Sequence, residues 1–193
     1  MGKIKRRKKK KGCGCFIIFL MAVCIAAGGI YAGTRICKKL LFPSDYEEYV
    51  SKYSSANGLD HYLVMAVIKT ESNFIPDADS GKATGLMQLT DETGKWTAKK
   101  LNIDYDEIDL EDPEDNIMLG CCYLKYLIDH YKNTDVALAA YNGGMGNVDK
   151  WLKDKRYSDD KKTLRDIPFK ETREYVERVN VQWKRYKEIY GKQ

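Results

Sequence analysis

The sequence predicts a mainly α-helical domain over residues 45–193, standing behind a membrane-spanning helix over residues 12–34. Three observations carry that prediction. Apolar residues recur three and four apart through most of 45–193, whereas alternating runs of β-branched residues are scarce. A stretch of 23 residues from Gly12 to Thr34 holds no charge, which is long enough to cross a bilayer. At 193 residues the chain accommodates one ordinary core and an appendage, but not two full domains.

The charges divide the chain in the same way. Lys3, Lys5, Arg6, Arg7, Lys8, Lys9, Lys10 and Lys11 form a basic leader over residues 1–11, and Arg35, Lys38 and Lys39 sit in a linker over 35–44. Those eleven cations leave 22 Lys and Arg against 28 Asp and Glu from Asp45 onward. The net charge of +5 therefore belongs to the leader, and the folded part is acidic, which argues against nucleic acid as a partner. A basic cluster ahead of the apolar run predicts a cytoplasmic N-terminus and a C-terminal domain on the outer, cell-wall side of the membrane. A cleaved signal peptide is the competing reading, with small residues at Ala26-Ala27-Gly28, but the apolar run exceeds a usual signal core. Of the six cysteines only Cys121 and Cys122 fall in the domain. Neighbours in sequence rarely bridge, so they read as small apolar residues on a helix.

Within the domain, residues 45–55 read as a first helix carrying Tyr46, Tyr49, Val50 and Tyr53, closed by Asn57-Gly58. Asp60 caps a second helix that ends near Asn73, with Pro76 beyond it as a stop. A glycine-led stretch, Gly85-Leu86-Met87-Gln88-Leu89, leads into a helix over 91–101. After an acidic loop, Asp112 caps a helix with Pro113 at its first position and an apolar stripe of Ile117, Cys121, Leu124, Ile128 and Tyr131. Thr134 or Asp135 caps a helix over 136–141, which Asn142-Gly143-Gly144 terminates. A short helix over 147–154 and a long one over 170–190 complete the chain.

One acid falls on the wrong face. Val64 and Glu71 stand seven residues apart, nearly superposed on a helical wheel, and Val67 and Ile68 fill the stripe between them. Burial there disfavours the charged carboxylate, and the negative end of its own helix acts in the same direction, so the pKa of Glu71 is expected to rise. Such a group holds a proton at neutral pH and can donate it to a leaving oxygen.

Four blocks in order extend the pattern: Glu71-Ser72-Asn73-Phe74, Gly85-Leu86-Met87-Gln88, Ala140-Tyr141-Asn142-Gly143, and Glu171-Thr172-Arg173-Glu174-Tyr175-Val176. Together they resemble the soluble lytic transglycosylase and goose-type lysozyme group of lysozyme-like folds. The resemblance implies a peptidoglycan lytic transglycosylase with Glu71 as catalytic acid and later base. It also implies that Ser72 orients substrate or carboxyl, that Met87 and Gln88 line a glycan groove, and that Tyr141 hydrogen-bonds near Glu71. The resemblance further implies that Asn142 contacts sugar and that Tyr175 faces the same cleft. The stretch Gly143-Gly144-Met145-Gly146-Asn147 departs from the family's usual Ala and Pro, which predicts a looser loop after Asn142.

The resemblance supplies one acid where ordinary glycosidases use two. With one acid, Glu71 protonates the glycosidic oxygen between the two sugars and then takes the proton from the C6 hydroxyl, leaving a 1,6-anhydromuramoyl end. Hydrolysis with an acid from the 104–115 loop is the alternative. A low-turnover glycan-binding role in a wall-opening secretion or conjugation apparatus is another. No His/Cys cluster, Ser-His-Asp set or phosphate-binding glycine loop stands in the sequence, so neither a metal nor a cofactor is expected. The expected partners are peptidoglycan strands and, through residues 12–34, the membrane. Whether a protein complex is served stays open.

Overall fold

The computed structural model describes residues 40–191 throughout, together with residues 21, 23–25, 28, 29 and 33, which are helical. The chain divides into two units, Met1–Phe42 and Pro43–Gln193. Among the described residues no helix is long and apolar enough to cross a membrane. Most of the 12–34 run, the basic leader and residues 35–39 of the linker lie outside them.

Among the described residues, Pro43–Gln193 holds seven α-helices: α1 (Glu47–Asn57), α2 (His61–Glu71), α3 (Asp91–Leu101), α4 (Pro113–Tyr131), α5 (Thr134–Gly143), α6 (Met145–Lys153) and α7 (Lys170–Tyr190). Local chemistry sets several of the boundaries. The Asp60 carboxylate accepts from the backbone N–H groups of Tyr62 and Leu63 to open α2. Asp112 does the same for Glu114 and Asp115 at the start of α4, with Pro113 behind it. Gly58 ends α1 in the left-handed region at φ 62°.

Other boundaries shift from the sequence reading. The cap of α5 is Asn133, whose side chain accepts from Val136 N–H, rather than Thr134 or Asp135. That helix also runs on through Asn142 to Gly143, and α6 starts two residues later at Met145. The loop expected to loosen the chain after Asn142 is thus one residue, Gly144, at φ 81°. The Gly144 carbonyl receives Asn147 N–H and Val148 N–H, and Asn147 Nδ2 donates to Gly143 O at 2.8 Å, so this junction is closely hydrogen-bonded.

The core gathers on α2, whose residues 63–68 are all buried, and on the inner faces of α4 and α5. α2 packs against α7 and α1, α4 against α1, α3 and α5, and α5 against α6 and α7. The stripe on α4 is wider than the sequence suggested: Asn116, Leu119 and Leu127 are buried, while Ile128 and Tyr131 are half-exposed. Cys121 is buried and Cys122 partly so, and both are free thiols. Between α2 and α3 the chain makes a compact turn region pinned by the isolated bridges Asp79–Thr84 and Thr84–Leu89. The acidic segment before α4 is largely chain punctuation. Asp104, Asp109 and Asp112 each accept from a backbone N–H two residues on, and a 3-10 turn spans Tyr105–Glu107.

Candidate functional site

Glu71 is the last residue of α2, and Ser72 closes the helix behind it. The position follows from the stripe of Val64, Val67 and Ile68, which are fully buried and carry Glu71 toward the core rather than into water. Burial pushes its carboxyl pKa from 4.5 up to about 7, while the Tyr175 hydroxyl and the Arg178 guanidinium on α7 oppose that rise by favouring the charged form. Tyr175 is 2% exposed, and its hydroxyl reaches no atom in full hydrogen-bonding geometry. It nevertheless faces Glu71 closely enough that a charge on Glu71 makes Tyr175 harder to ionise, while the hydroxyl favours the Glu71 carboxylate.

The turn at 85–89 is held in place by polar side chains from three helices. Ser72 Oγ lies 2.8 Å from Leu86 O, to which it donates, and 3.2 Å from Ile68 O. Asn116 on α4 is fully buried: its Oδ1 accepts from Met87 N–H at 2.7 Å and its Nδ2 donates to Thr84 O and Leu110 O. Tyr141 on α5 donates from its hydroxyl to Met87 O at 2.8 Å. Gly85 makes this clasp possible. It stands at φ 85°, and a Cβ there would come within 2.1 Å of Asn116 Nδ2 and 2.2 Å of Leu110 O.

The arrangement places two of the residues named from the sequence deep in the fold. Met87 does not line a groove with its side chain: it is fully buried against Gly120 of α4, where an added Cβ would meet Met87 Sδ at 2.3 Å. Ser72 is 7% exposed, with its hydroxyl directed at backbone carbonyls, so it positions the turn behind Glu71. Gln88 is half-exposed at φ 46°, with its amide nitrogen donating to Ala78 O and Gly85 O. Its carboxamide oxygen remains as an acceptor. Tyr141 lies close enough to Glu71 to feel its charge, although its hydrogen bond goes to Met87.

Tyr141 and Asn142 also line a concavity of about 540 Å³ whose walls carry Trp96, Tyr123, Tyr126 and Met145. Trp96 meets Tyr126 at 4.6 Å and Tyr123 at 5.9 Å between ring centroids, and Tyr123 meets Tyr141 at 5.4 Å. Lys100 Nζ lies over both Trp96 and Tyr126. Asn142 borders a second cavity of about 620 Å³, on which Lys82, Phe169, Lys170 and Glu171 also open. Sequence reading missed Trp96, Tyr123, Tyr126 and Asn116. The spacing of Tyr123 and Tyr126 on one side of the α4 stripe was the available signal for an aromatic face. Among the described residues no group of three or more His, Cys, Asp or Glu is placed to hold a metal ion.

Comparison with known proteins then decides the family: residues 48–164, well over half the chain, match the transglycosylase SLT domain. The chain belongs to the transglycosylase SLT family. The soluble lytic murein transglycosylase of Escherichia coli K12 is 36% identical over 143 residues, covering 72% of this chain and 22% of that protein. The membrane-bound lytic murein transglycosylase C of Serratia proteamaculans is 35% identical over 121 residues, covering 53% of this chain and 32% of that one. Among solved structures, an inactive mutant of the lytic transglycosylase Slt from Pseudomonas aeruginosa superimposes with a TM-score of 0.69 at 35% identity. That match covers 78% of this chain and 25% of the other. The chain thus spans less than a third of each of these relatives. Its SLT domain has the mainly helical, lysozyme-like fold of the family.

Proposed function

We propose that this SLT domain cleaves the β-1,4 bond between N-acetylmuramic acid and N-acetylglucosamine in peptidoglycan, with Glu71 as general acid and base. The observation that carries the reading is a carboxyl raised to about 7 at the end of α2, near Tyr141, which lines an aromatic concavity suited to sugar rings. A carboxyl in that range is substantially protonated at neutral pH and can give its proton to the glycosidic oxygen. As the C1–O bond breaks, Glu71 becomes a carboxylate. The Tyr175 hydroxyl and Arg178 then favour the charge. The carboxylate next takes the proton of the C6 hydroxyl, whose oxygen closes on C1 to give a 1,6-anhydromuramoyl end without consuming water.

The aromatic walls at Trp96, Tyr123, Tyr126 and Tyr141 support a sugar-binding role through stacking on ring faces. The Asn142 amide suits N-acetyl and hydroxyl groups, and the free Gln88 acceptor fits a sugar hydroxyl. Residues 12–34 are proposed to anchor the domain to the membrane with the leader in the cytoplasm. The uncharged 23-residue run and the basic cluster before it support this topology, as does similarity to a relative named as membrane-bound.

The test is to incubate the full chain in detergent with purified peptidoglycan and to identify the released muropeptides by mass. Anhydro ends lost in Glu71→Gln are expected. Reducing ends that depend on Glu71 would assign hydrolysis instead, and release unaffected by Glu71→Gln would remove both enzymatic readings.

A further inference from the structure

A third cavity, of about 490 Å³, opens between the end of α4, helix α6 and the segment leading to α7. Its rim carries Lys132, Lys153, Lys161 and Lys162, and its floor includes Leu152 and Tyr131. In a domain with six more acids than bases, four lysines around one hollow require an explanation. Ordinary ion pairing does not supply it. Lys52, Lys95, Lys125 and Lys170 elsewhere in the domain each meet a carboxylate. Lys153, Lys161 and Lys162 meet none among the described residues, and Lys132 approaches Asp129 only at 3.8 Å.

The acids nearest in sequence are committed elsewhere. Asp154 is held by Arg156, and both oxygens of Asp159 accept from Arg165 Nη1 at 2.9 Å. Asp160 accepts from Lys162 N–H, Thr163 N–H and Thr163 Oγ1, bonds that hold its carboxyl down at about 2. The one acid lining the hollow, Asp149, accepts the Tyr131 hydroxyl at 3.0 Å. The rim therefore keeps a positive excess that the fold does not neutralise.

We propose that this hollow binds a phosphodiester segment of an anionic, surface-attached polymer, separately from the site around Glu71. Four lysines and no arginine suit tetrahedral phosphates, which accept from an ammonium in any direction, better than planar carboxylates, which favour the arginine fork. The volume exceeds that of a single phosphate, and Leu152 and Tyr131 offer apolar surface to the short linkers between successive phosphates. An anionic membrane surface fits less well, since the domain as a whole is acidic and the cations surround a concavity rather than a flat face. Only the identity of the polymer as a wall component rests on the wall-directed reading above.

The experiment measures binding of poly(glycerol phosphate), inorganic phosphate and phosphatidylglycerol vesicles to the full chain in detergent or nanodiscs. Wild type is compared with a Lys153→Glu, Lys161→Glu, Lys162→Glu variant and with a control, Lys95→Glu, Lys99→Glu, Lys184→Glu. The basic leader contributes equally to all three proteins. The expected result is at least a tenfold loss of poly(glycerol phosphate) affinity in the first variant, a smaller slope of affinity against salt, and near wild-type binding in the control. Muropeptide release from polymer-free peptidoglycan is expected to stay unchanged, which keeps this outcome independent of the catalytic reading. Equal losses in both variants, no loss in either, or a rim-dependent effect confined to the vesicles would overturn the proposal.

Discussion

The Tyr141 hydroxyl donates to the Met87 carbonyl oxygen at 2.8 Å, joining helix α5 to a backbone turn 54 residues earlier. Ser72 and Asn116 grip the same turn from α2 and α4. The residue beside the acid, the buried amide and the rim of the aromatic concavity therefore share one piece of backbone. Disturbing the turn is expected to reach all three.

Replacing Tyr141 with Phe keeps the ring against Tyr123 and removes only the donor. The Met87 carbonyl loses its partner at a cost of about 1 to 2 kcal/mol. Thermal unfolding of the variant should show that loss, and muropeptide release should fall because the turn beside Glu71 loosens. An unchanged melting curve with unchanged release would show that the tie contributes nothing.

Asn116→Ala is expected to be more damaging, since one buried side chain serves Met87 N–H, Thr84 O and Leu110 O. Met87 N–H and Leu110 O would lose their partner together while Thr84 O keeps Leu89 N–H, and a loss of about 2 to 3 kcal/mol follows. Denaturant titration measures it. Asn116→Asp keeps the acceptor for Met87 N–H but loses both donations, so it should not rescue the fold.

Gly120→Ala reverses an ordinary expectation. In a helix interior that change usually adds stability of about 1 kcal/mol. Here the new methyl would sit 2.3 Å from Met87 Sδ and 2.9 Å from Met87 Cβ. Overpacking of this kind typically costs about 1 to 3 kcal/mol. The variant should unfold at lower denaturant than wild type, and a companion Met87→Ala change should recover part of the difference by opening space.

These residues also mark where the sequence was legible. Asp60, Asp112 and Pro113 declare their helix starts locally, through a side-chain acceptor or a missing donor, and the structure uses them so. The inward direction of Glu71 followed from helical spacing alone. Met87 could not be placed in that way, because whether its side chain enters the core depends on a missing Cβ at Gly120, on another helix. Asn116 looks like any polar residue in a first helical turn until the chain folds Gly85 and Leu110 over it. The aromatic concavity draws on α3, α4 and α5, so no single stretch of sequence displays it.

Glu71 gives the sharpest dependence on pH. Its carboxyl has an ordinary value of 4.5 and rises to about 7 in the fold, chiefly through burial. Below pH 4.5 both folded and unfolded forms hold the proton, so the group imposes no penalty. Between pH 4.5 and 7 the unfolded chain releases the proton while the folded chain keeps it, so stability falls as pH rises. Above 7 the loss is complete, on the order of 3 kcal/mol at about 1.36 kcal/mol for each unit between 4.5 and about 7. Glu71→Gln should therefore be inactive yet more stable than wild type at pH 8, with the advantage fading toward pH 4.5. Chemical denaturation across that range checks it, and a difference that stays constant with pH would contradict a raised carboxyl. Activity should decline as pH passes through about 7, because the acid loses its proton. Tyr175→Phe removes a hydroxyl that favours the charged carboxyl, so the decline should move to higher pH. A shift to lower pH would mean that Tyr175 instead stabilises the protonated acid.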